Sequence, residues 1–252
     1  MTVFYFTATG NSLAVAKRIG GTLVSIPQVV DSGDLHYRDD VIGVVFPIYW
    51  WALPKMVRRF LDKARLEADY TFAIGTYGSL PGAAMLNLQK RAGKNGGRFD
   101  YVNHLLMLDN YLPVFEMGAQ AKKLPGKKVE EKTAEIASDI GSRKHRLATA
   151  SPWLRAMSAM AAAARNPAGK NAKKYIVSGK CDRCGVCAKV CPAGNIAVAD
   201  GVCFADDCEA CLACLHLCPR NALLHKCQKS DKRWINPEVS LGEIVSANNR
   251  GA

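Results

Sequence analysis

Eight of the ten cysteines in this 252-residue chain fall into two copies of one pattern, Cys181, Cys184, Cys187, Cys191-Pro192 and Cys208, Cys211, Cys214, Cys218-Pro219. Each member of the second copy follows its counterpart by 27 residues. Two residues between successive cysteines let a tight loop aim three sulfurs at one centre, while the sulfur before each proline leaves in another direction. Cys203 and Cys227 lie outside both copies. A spare or sensing thiol is one reading of each; a small buried hydrophobe is the expectation adopted.

The run Cys-x2-Cys-x2-Cys-x3-Cys-Pro is the bacterial iron–sulfur signature. It implies two [4Fe-4S] clusters. Following the crossed ligation of two-cluster ferredoxins, Cys181, Cys184, Cys187 and Cys218 go to one cluster and Cys208, Cys211, Cys214 and Cys191 to the other. Paired Cys-x-x-Cys motifs also make tetrahedral zinc sites, but a third cysteine at the same spacing, a terminal Cys-Pro and a repeat argue against zinc. A disulfide framework needs secretion, of which there is no sign.

The cluster region, from about Lys173 to Cys227, leaves some two-thirds of the chain unexplained, so a second domain is required. Hydrophobic residues make up 49% and charged residues 22%, a globular composition. The apolar run at Met1–Phe6 has no basic segment before it and ends too early at Gly10 and Asn11 for a signal peptide. The longest stretch for membrane burial, Trp153 to Ala164, is interrupted by Arg155 and falls short of the roughly 20 residues a bilayer needs. A cytoplasmic protein without a transmembrane segment is expected. The formal net charge is +12. Each oxidised cluster with four thiolates would offset about −2 of it. Residues 165 to 233 hold 12 Lys and Arg against 6 Asp and Glu, an excess that suits an acidic redox protein partner. The basic residues are scattered and no nucleic-acid-binding pattern accompanies them, so no nucleic-acid partner is expected.

Val3 to Phe6 suits a strand buried on both faces. Thr7-Ala8-Thr9-Gly10-Asn11-Ser12 follows at once, and Leu13, Ala16, Lys17 and Ile19 continue at helical spacing. The polar loop therefore sits where a strand ends and a helix begins, where backbone N–H groups and the helix dipole favour an anion. It lacks the lysine of a Walker A loop and the Gly-x-Gly-x-x-Gly of dinucleotide folds. Ser12 as a simple N-cap is the bland alternative. The loop resembles the flavodoxin phosphate loop, Ser/Thr-x-Thr-Gly-Asn-Thr/Ser. That resemblance implies FMN, with Thr7, Thr9, Asn11 and Ser12 binding its phosphate by side chains and Ala8 and Gly10 letting the backbone close around it.

Two later loops again follow apolar strand candidates, as expected where ligands sit beyond the carboxyl ends of parallel strands. Val41 to Phe46 runs into Pro47-Ile48-Tyr49-Trp50-Trp51-Ala52-Leu53-Pro54, and Phe72 to Ile74 into Gly75-Thr76-Tyr77-Gly78-Ser79-Leu80-Pro81-Gly82. Pro47, Tyr49, Trp50, Thr76, Tyr77 and Gly78 are the candidate flavin contacts. A core role is the alternative for either tryptophan; neighbouring extended side chains point oppositely, so at most one of Trp50 and Trp51 should face the ring, and Trp50 is the choice. A fourth segment, Phe99 to Leu108, ends in Asp109-Asn110-Tyr111-Leu112-Pro113, which looks like the loop after the fifth strand in flavodoxin-like domains fused to ferredoxins. Asn110 and Tyr111 are placed at the flavin edge or on the route to a cluster. Helices are expected at Leu53–Arg65 and Ala83–Gly93, giving an α/β, flavodoxin-like, doubly wound parallel five-stranded sheet of order 2-1-3-4-5. A small α+β bacterial-type ferredoxin domain follows it.

Val129, Thr133, Ile136, Ile140 and Leu147 recur at helical steps, predicting an amphipathic helix over 127–147. Ser151-Pro152 opens a second helix ending near Arg165, before Asn166-Pro167-Ala168-Gly169; docking the two domains is its expected use, and lying on a membrane the alternative. The division is then 1–150, flavodoxin-like; 151–172, connecting helix and linker; 173–227, ferredoxin-like; and 228–252, a tail. The tail has apolar residues enough to pack on a domain and should fray beyond Ser246.

Over nearly its whole length the chain resembles flavodoxin–ferredoxin fusion proteins of anaerobic prokaryotes. Ser12 keeps the hydroxyl where many flavodoxins have threonine, whereas the basic balance departs from their usual acidity. The resemblance implies an electron-transfer protein passing single electrons between FMN and two clusters, with no catalytic acid or base. A flavin oxidoreductase acting on a quinone, nitro compound or metal ion, fed by the clusters, is a second hypothesis. A ferredoxin whose first domain has lost FMN and only recruits partners is a third.

Overall fold

The structure, a computed structural model, describes residues 1–164 and 170–250. Five parallel strands, β1 (Thr2–Tyr5), β2 (Thr22–Ser25), β3 (His36–Pro47), β4 (Arg65–Tyr77) and β5 (Tyr101–Leu106), form one sheet of order 2-1-3-4-5. This is the expected flavodoxin-like order. Between the strands run α1 (Asn11–Ile19), α2 (Ile26–Val29), α3 (Lys55–Lys63) and α4 (Ala84–Lys94), followed by α5 (Met117–Lys122) and α6 (Val129–Gly141).

Strand alternation divides the core between two faces. Val3 and Tyr5 point with Val45, Phe72 and Ile74 toward α1 and α6, whereas Phe4 and Phe6 point with Val44 and Phe46 toward α3 and α4. Gly43 makes the first layer possible: a Cβ there would lie 2.0 Å from the Phe72 ring. β3 and β4 are longer than the apolar runs that announced them. Their first halves alternate exposed and half-buried residues and only the second halves are buried throughout, so a search for apolar runs finds only the latter. The short β2 and α2 carry no such run and escaped it.

The helix expected over 127–147 stops at Gly141. Arg143 turns left-handed, with φ 50°, and Arg146 pairs alongside Tyr101 of β5, so Leu147 emerges exposed. The second helix, α7 (Pro152–Ala164), begins where Ser151-Pro152 placed it. Its proposed end near Arg165 and the stop at 166–169 lie outside the described residues. Ser158 anchors α7 to the sheet domain by accepting a hydrogen bond from the Ala83 N–H at 2.8 Å. Among the described residues no helix is long and apolar enough to cross a membrane.

The cysteine region is a folded duplicate. β6 (Tyr175–Val177), α8 (Val186–Lys189) and β7 (Ile196–Val198) recur 27 residues later as β8 (Val202–Phe204), α9 (Ala213–His216) and β9 (Leu223–His225). Strands pair across the copies at the outer ends, β6 with β9, and in the middle, β7 with β8. Each copy therefore completes the other's ribbon.

The tail departs from expectation. Rather than fraying beyond Ser246, α10 (Leu241–Asn248) holds to Asn248, and Ala247 and Asn248 are buried. The reason is a partner: Ser25 Oγ donates to Ala247 O at 2.6 Å, and Ile244 and Ala247 join the core of β1 and α1. A capping box of Ser240 and Glu243 starts the helix.

Candidate functional site

A cavity of about 270 Å³ opens at the carboxyl ends of β1, β3, β4 and β5. Thr7, Ala8, Thr9, Asn11 and Ser12 line it from the first loop, Pro47, Tyr49 and Trp50 from the second, Thr76, Tyr77 and Gly78 from the third, and Asn110 and Tyr111 from the fourth. Of the flavin-site residues expected from the sequence, Gly10 alone is not part of its wall. Gly10 turns the chain into α1 with φ 98°, and behind it a Cβ would meet Asn236 at 2.9 Å.

Gly10, not Ser12, is the N-cap of α1. Ser12 is buried one position inside the helix, with its Oγ 2.8 Å from Thr76 Oγ1. The Gly10 N–H is held by Thr7 Oγ1 at 3.2 Å, and Asn110 Nδ2 donates to Thr9 Oγ1. Among the described residues no acceptor takes the backbone N–H groups of Ala8, Thr9, Asn11 or Ser12. The loop thus leaves these donors unengaged at the positive end of α1, where an anion is favoured.

Trp50 and Trp51 are not extended neighbours. Both are left-handed, with φ 51° and 60°, at the tip of a tight turn closed by reciprocal 3.0 Å bonds between Tyr49 and Ala52. Alternation does not apply there, and both tryptophans line the cavity. Trp50 meets Tyr111 edge-on at 4.9 Å. Two glycines let the loops converge: a Cβ on Gly78 would lie 2.3 Å from Asp109 Cβ, and one on Gly82 would lie 2.4 Å from Trp51 Cβ. Lys127 Nζ ties two of the loops together by donating to Gly78 O and Met107 O, and burial lowers its pKa. Trp50, Leu80 and Val114 leave an exposed apolar rim at the mouth.

The two cysteine loops share a backbone as well as a spacing. Left-handed residues fall at Arg183 and Ala210, at Gly185 and Leu212, and at Gly194 and Asn221, each pair 27 residues apart. Backbone N–H groups point at sulfur in both copies, from Asn195 to Cys191 Sγ at 3.3 Å and from Ala222 to Cys218 Sγ at 3.2 Å, with Ala210 on Cys208 Sγ at 3.3 Å. Cys187 has Cys218, Cys181 and Cys184 as charge neighbours, and Cys214 has Cys211, Cys191 and Cys208, with Cys187 of the other set a weaker one. The crossed sets are therefore brought together. Burial pushes the Cys187 thiol up to about 11, and Cys211 and Cys214 are raised well above their ordinary value for the same reason. Such sulfurs become thiolates only beside a cation. Among the described residues no three His, Cys, Asp or Glu side chains gather tightly enough for one metal ion, as four sulfurs around a cube do not.

Cys203 and Cys227, expected to be buried, are exposed. Cys203 sits on the open face of the two-stranded β7–β8 ribbon, and Cys227 lies in the turn after β9.

The second cysteine loop abuts the cavity, whose wall includes Ala210, Cys211 and Leu212. Glu209 of this loop caps α3 of the sheet domain, accepting from the N–H groups of Lys55 at 3.0 Å and Met56 at 2.6 Å. His216, between Cys214 and Cys218, lies 2.8 Å from Asn110 O through Nε2 and accepts from the Trp234 N–H through Nδ1 at 3.1 Å. The second bond fixes Nε2 as the protonated nitrogen and donor, and burial depresses the imidazole pKa to about 4. Neither contact was visible in the sequence, since a glutamate in a cysteine loop and a histidine in a helix carry no signal of what they meet.

Residues 174–197 match the family of 4Fe-4S binding domains. No curated protein matches the chain. Three solved structures are similar to it: a protein of Bacteroides uniformis ATCC 8492 described as a candidate flavoprotein (21% identity, 42% of this chain and 89% of that one, TM-score 0.33), the Trp repressor binding protein of Bacillus subtilis (12%, 55% and 95%, 0.35) and the two-electron reduced flavodoxin of Megasphaera elsdenii (18%, 41% and 83%, 0.28). Likenesses at this level bear on neither ligand nor partner. The chain joins a flavodoxin-like sheet, identified by its strand order, to an iron–sulfur binding domain.

Proposed function

We propose that this is an electron-transfer protein holding FMN in the cavity above the sheet and two [4Fe-4S] clusters in the cysteine loops. Bound together, these groups would join two-electron flavin chemistry to the single-electron chemistry of the clusters. Thr7, Thr9, Asn11 and Ser12 would hold the phosphate with the free N–H groups of their loop, and Trp50, Tyr77 and Tyr111 would border the ring. Cys181, Cys184, Cys187 and Cys218 would hold one cluster, and Cys191, Cys208, Cys211 and Cys214 the other. The N–H groups aimed at Cys191, Cys208 and Cys218 favour the thiolate form and raise the reduction potential.

One observation carries the reading: Cys211, with Ala210 and Leu212, forms part of the cavity wall. No protein layer separates that ligand from the flavin site. The duplicated left-handed positions favour a second cluster loop like the first. At the far loop Cys184 is exposed, and so are Lys180, Arg183 and Lys189 of the same segment, while Arg220 pairs with Asp182 at 2.8 Å; the excess of positive charge suits an acidic redox partner. The apolar rim of Trp50, Leu80 and Val114 favours, as a second reading, reduction of a small apolar acceptor such as a quinone.

Anaerobic reconstitution followed by iron, sulfide and released-flavin analysis tests the proposal. About eight irons, as many sulfides and one FMN per chain are expected. Zinc in the cysteine loops would overturn it, and absent flavin would leave only an iron–sulfur protein. Steady turnover of a soluble quinone, lost in Trp50→Ala, would favour the second reading.

A further inference from the structure

The cavity is lined mostly by the sheet domain, yet one of its lining side chains, Asn11, is aimed by the carboxyl-terminal tail. Asn11 Oδ1 accepts two hydrogen bonds, from Asn236 Nδ2 at 3.1 Å and Trp234 Nε1 at 3.4 Å. An amide oxygen engaged by two donors fixes which way the group faces. The Asn11 Nδ2 then points the other way, where it donates to Leu108 O at 3.4 Å and has a second hydrogen to spare beside the cavity. The Asn236 N–H also donates to Thr9 O at 2.8 Å, and Asn236 and Val239 pack behind Gly10. Asn236 is itself rigid: it is buried, and its Oδ1 accepts from the Glu238 N–H at 3.0 Å.

From this we infer that Trp234 and Asn236 are positioning residues for the flavin phosphate. They hold Asn11 with its N–H donor, not its carbonyl, toward the anion, so the tail completes a loop that lies more than two hundred positions earlier. The inference rests on the flavin reading above. It requires no group from outside the chain other than the phosphate monoester itself.

Asn236→Asp is the informative change, because it keeps the acceptor for Glu238 and replaces the Nδ2 donor with an oxygen. Asn11 Oδ1 would then meet an acceptor in place of one of its two donors, and its amide would no longer be fixed with Nδ2 toward the phosphate. The full chain, loaded with clusters and stripped of flavin, is titrated with FMN and with riboflavin, which has the same ring and no phosphate, following the quenching of flavin fluorescence. Asn236→Asp should weaken FMN about tenfold, the scale of one misaligned hydrogen bond to a charged group. Riboflavin affinity should change less than about twofold. Trp234→Phe keeps the packing and removes one donor; it should show the same selectivity at smaller size, and it serves if the aspartate variant does not fold. Equal losses for both ligands would make the tail a mere prop and overturn the inference, as would no change for either. A wild-type chain that binds neither flavin would overturn the flavin reading itself.

Discussion

At the scale of single residues, Asn248 bears the most unusual burden. It is 0% exposed, and its Nδ2 donates to Thr7 O at 3.1 Å and to Val190 O at 3.2 Å, the carbonyls at the start of the first cavity loop and just before Cys191. Its Oδ1 has no partner among the described residues. Asn248→Ala leaves two buried carbonyls without a donor, and a loss of about 1–3 kcal/mol in urea unfolding is expected. A change below a few tenths would show that water replaces the amide. Residues of this kind are illegible in a sequence. Thr7, Thr9, Asn11 and Ser12 stood out because they form one contiguous motif, whereas Asn248 acts across 241 positions and looks like any helix-end asparagine.

Among the elements, α10 shows how little helical sequence says about docking. It meets α1 through Lys17 Nζ, 2.7 Å from Glu243 Oε1, and the turn just before it adds Glu238, whose Oε2 lies 2.7 Å from Arg18 Nε. The Lys17 ammonium, with the Ser240 N–H and hydroxyl, holds the Glu243 carboxyl down at about 2. A carboxyl depressed from its ordinary value of 4.5 stabilises the fold above that pH and loses its contribution as pH falls toward 2. The pair is part-exposed, so the effect is modest and screened by salt. Glu243→Gln should therefore lower the thermal midpoint at pH 7 and have no effect near pH 2; an equal loss at both would exclude the charge as the cause. The strands and helices themselves were readable wherever burial was two-sided or the helical stripe clean. Short β2, the half-exposed starts of β3 and β4, and the left-handed Trp50-Trp51 turn were not, because in each the local pattern is weak and tertiary packing decides.

At the scale of the molecule, the sheet domain, the cysteine region and the tail share one of the buried cores. One buried cluster runs from Val3, Leu13 and Phe72 of the sheet domain through Val190, Ala213 and Leu217 of the cysteine region to Val239 and Ile244 of the tail. Glu209 capping α3 and His216 on Asn110 O add polar ties. Scanning calorimetry of the cluster-loaded chain should thus show one transition; two well-separated transitions would mean that the parts fold alone. Sequence spacing gave the cysteine duplication its outline, but not that its second loop would face the cavity. The account stands on flavin and clusters sharing one electron pool. Anaerobic titration of the purified chain with a low-potential reductant tests this most directly. About four electrons per chain are expected, two to the flavin and one to each cluster, with flavin and iron–sulfur absorbance both bleaching. Uptake of two or fewer, or bleaching of one chromophore while the other stays oxidised in the presence of excess reductant, would contradict it.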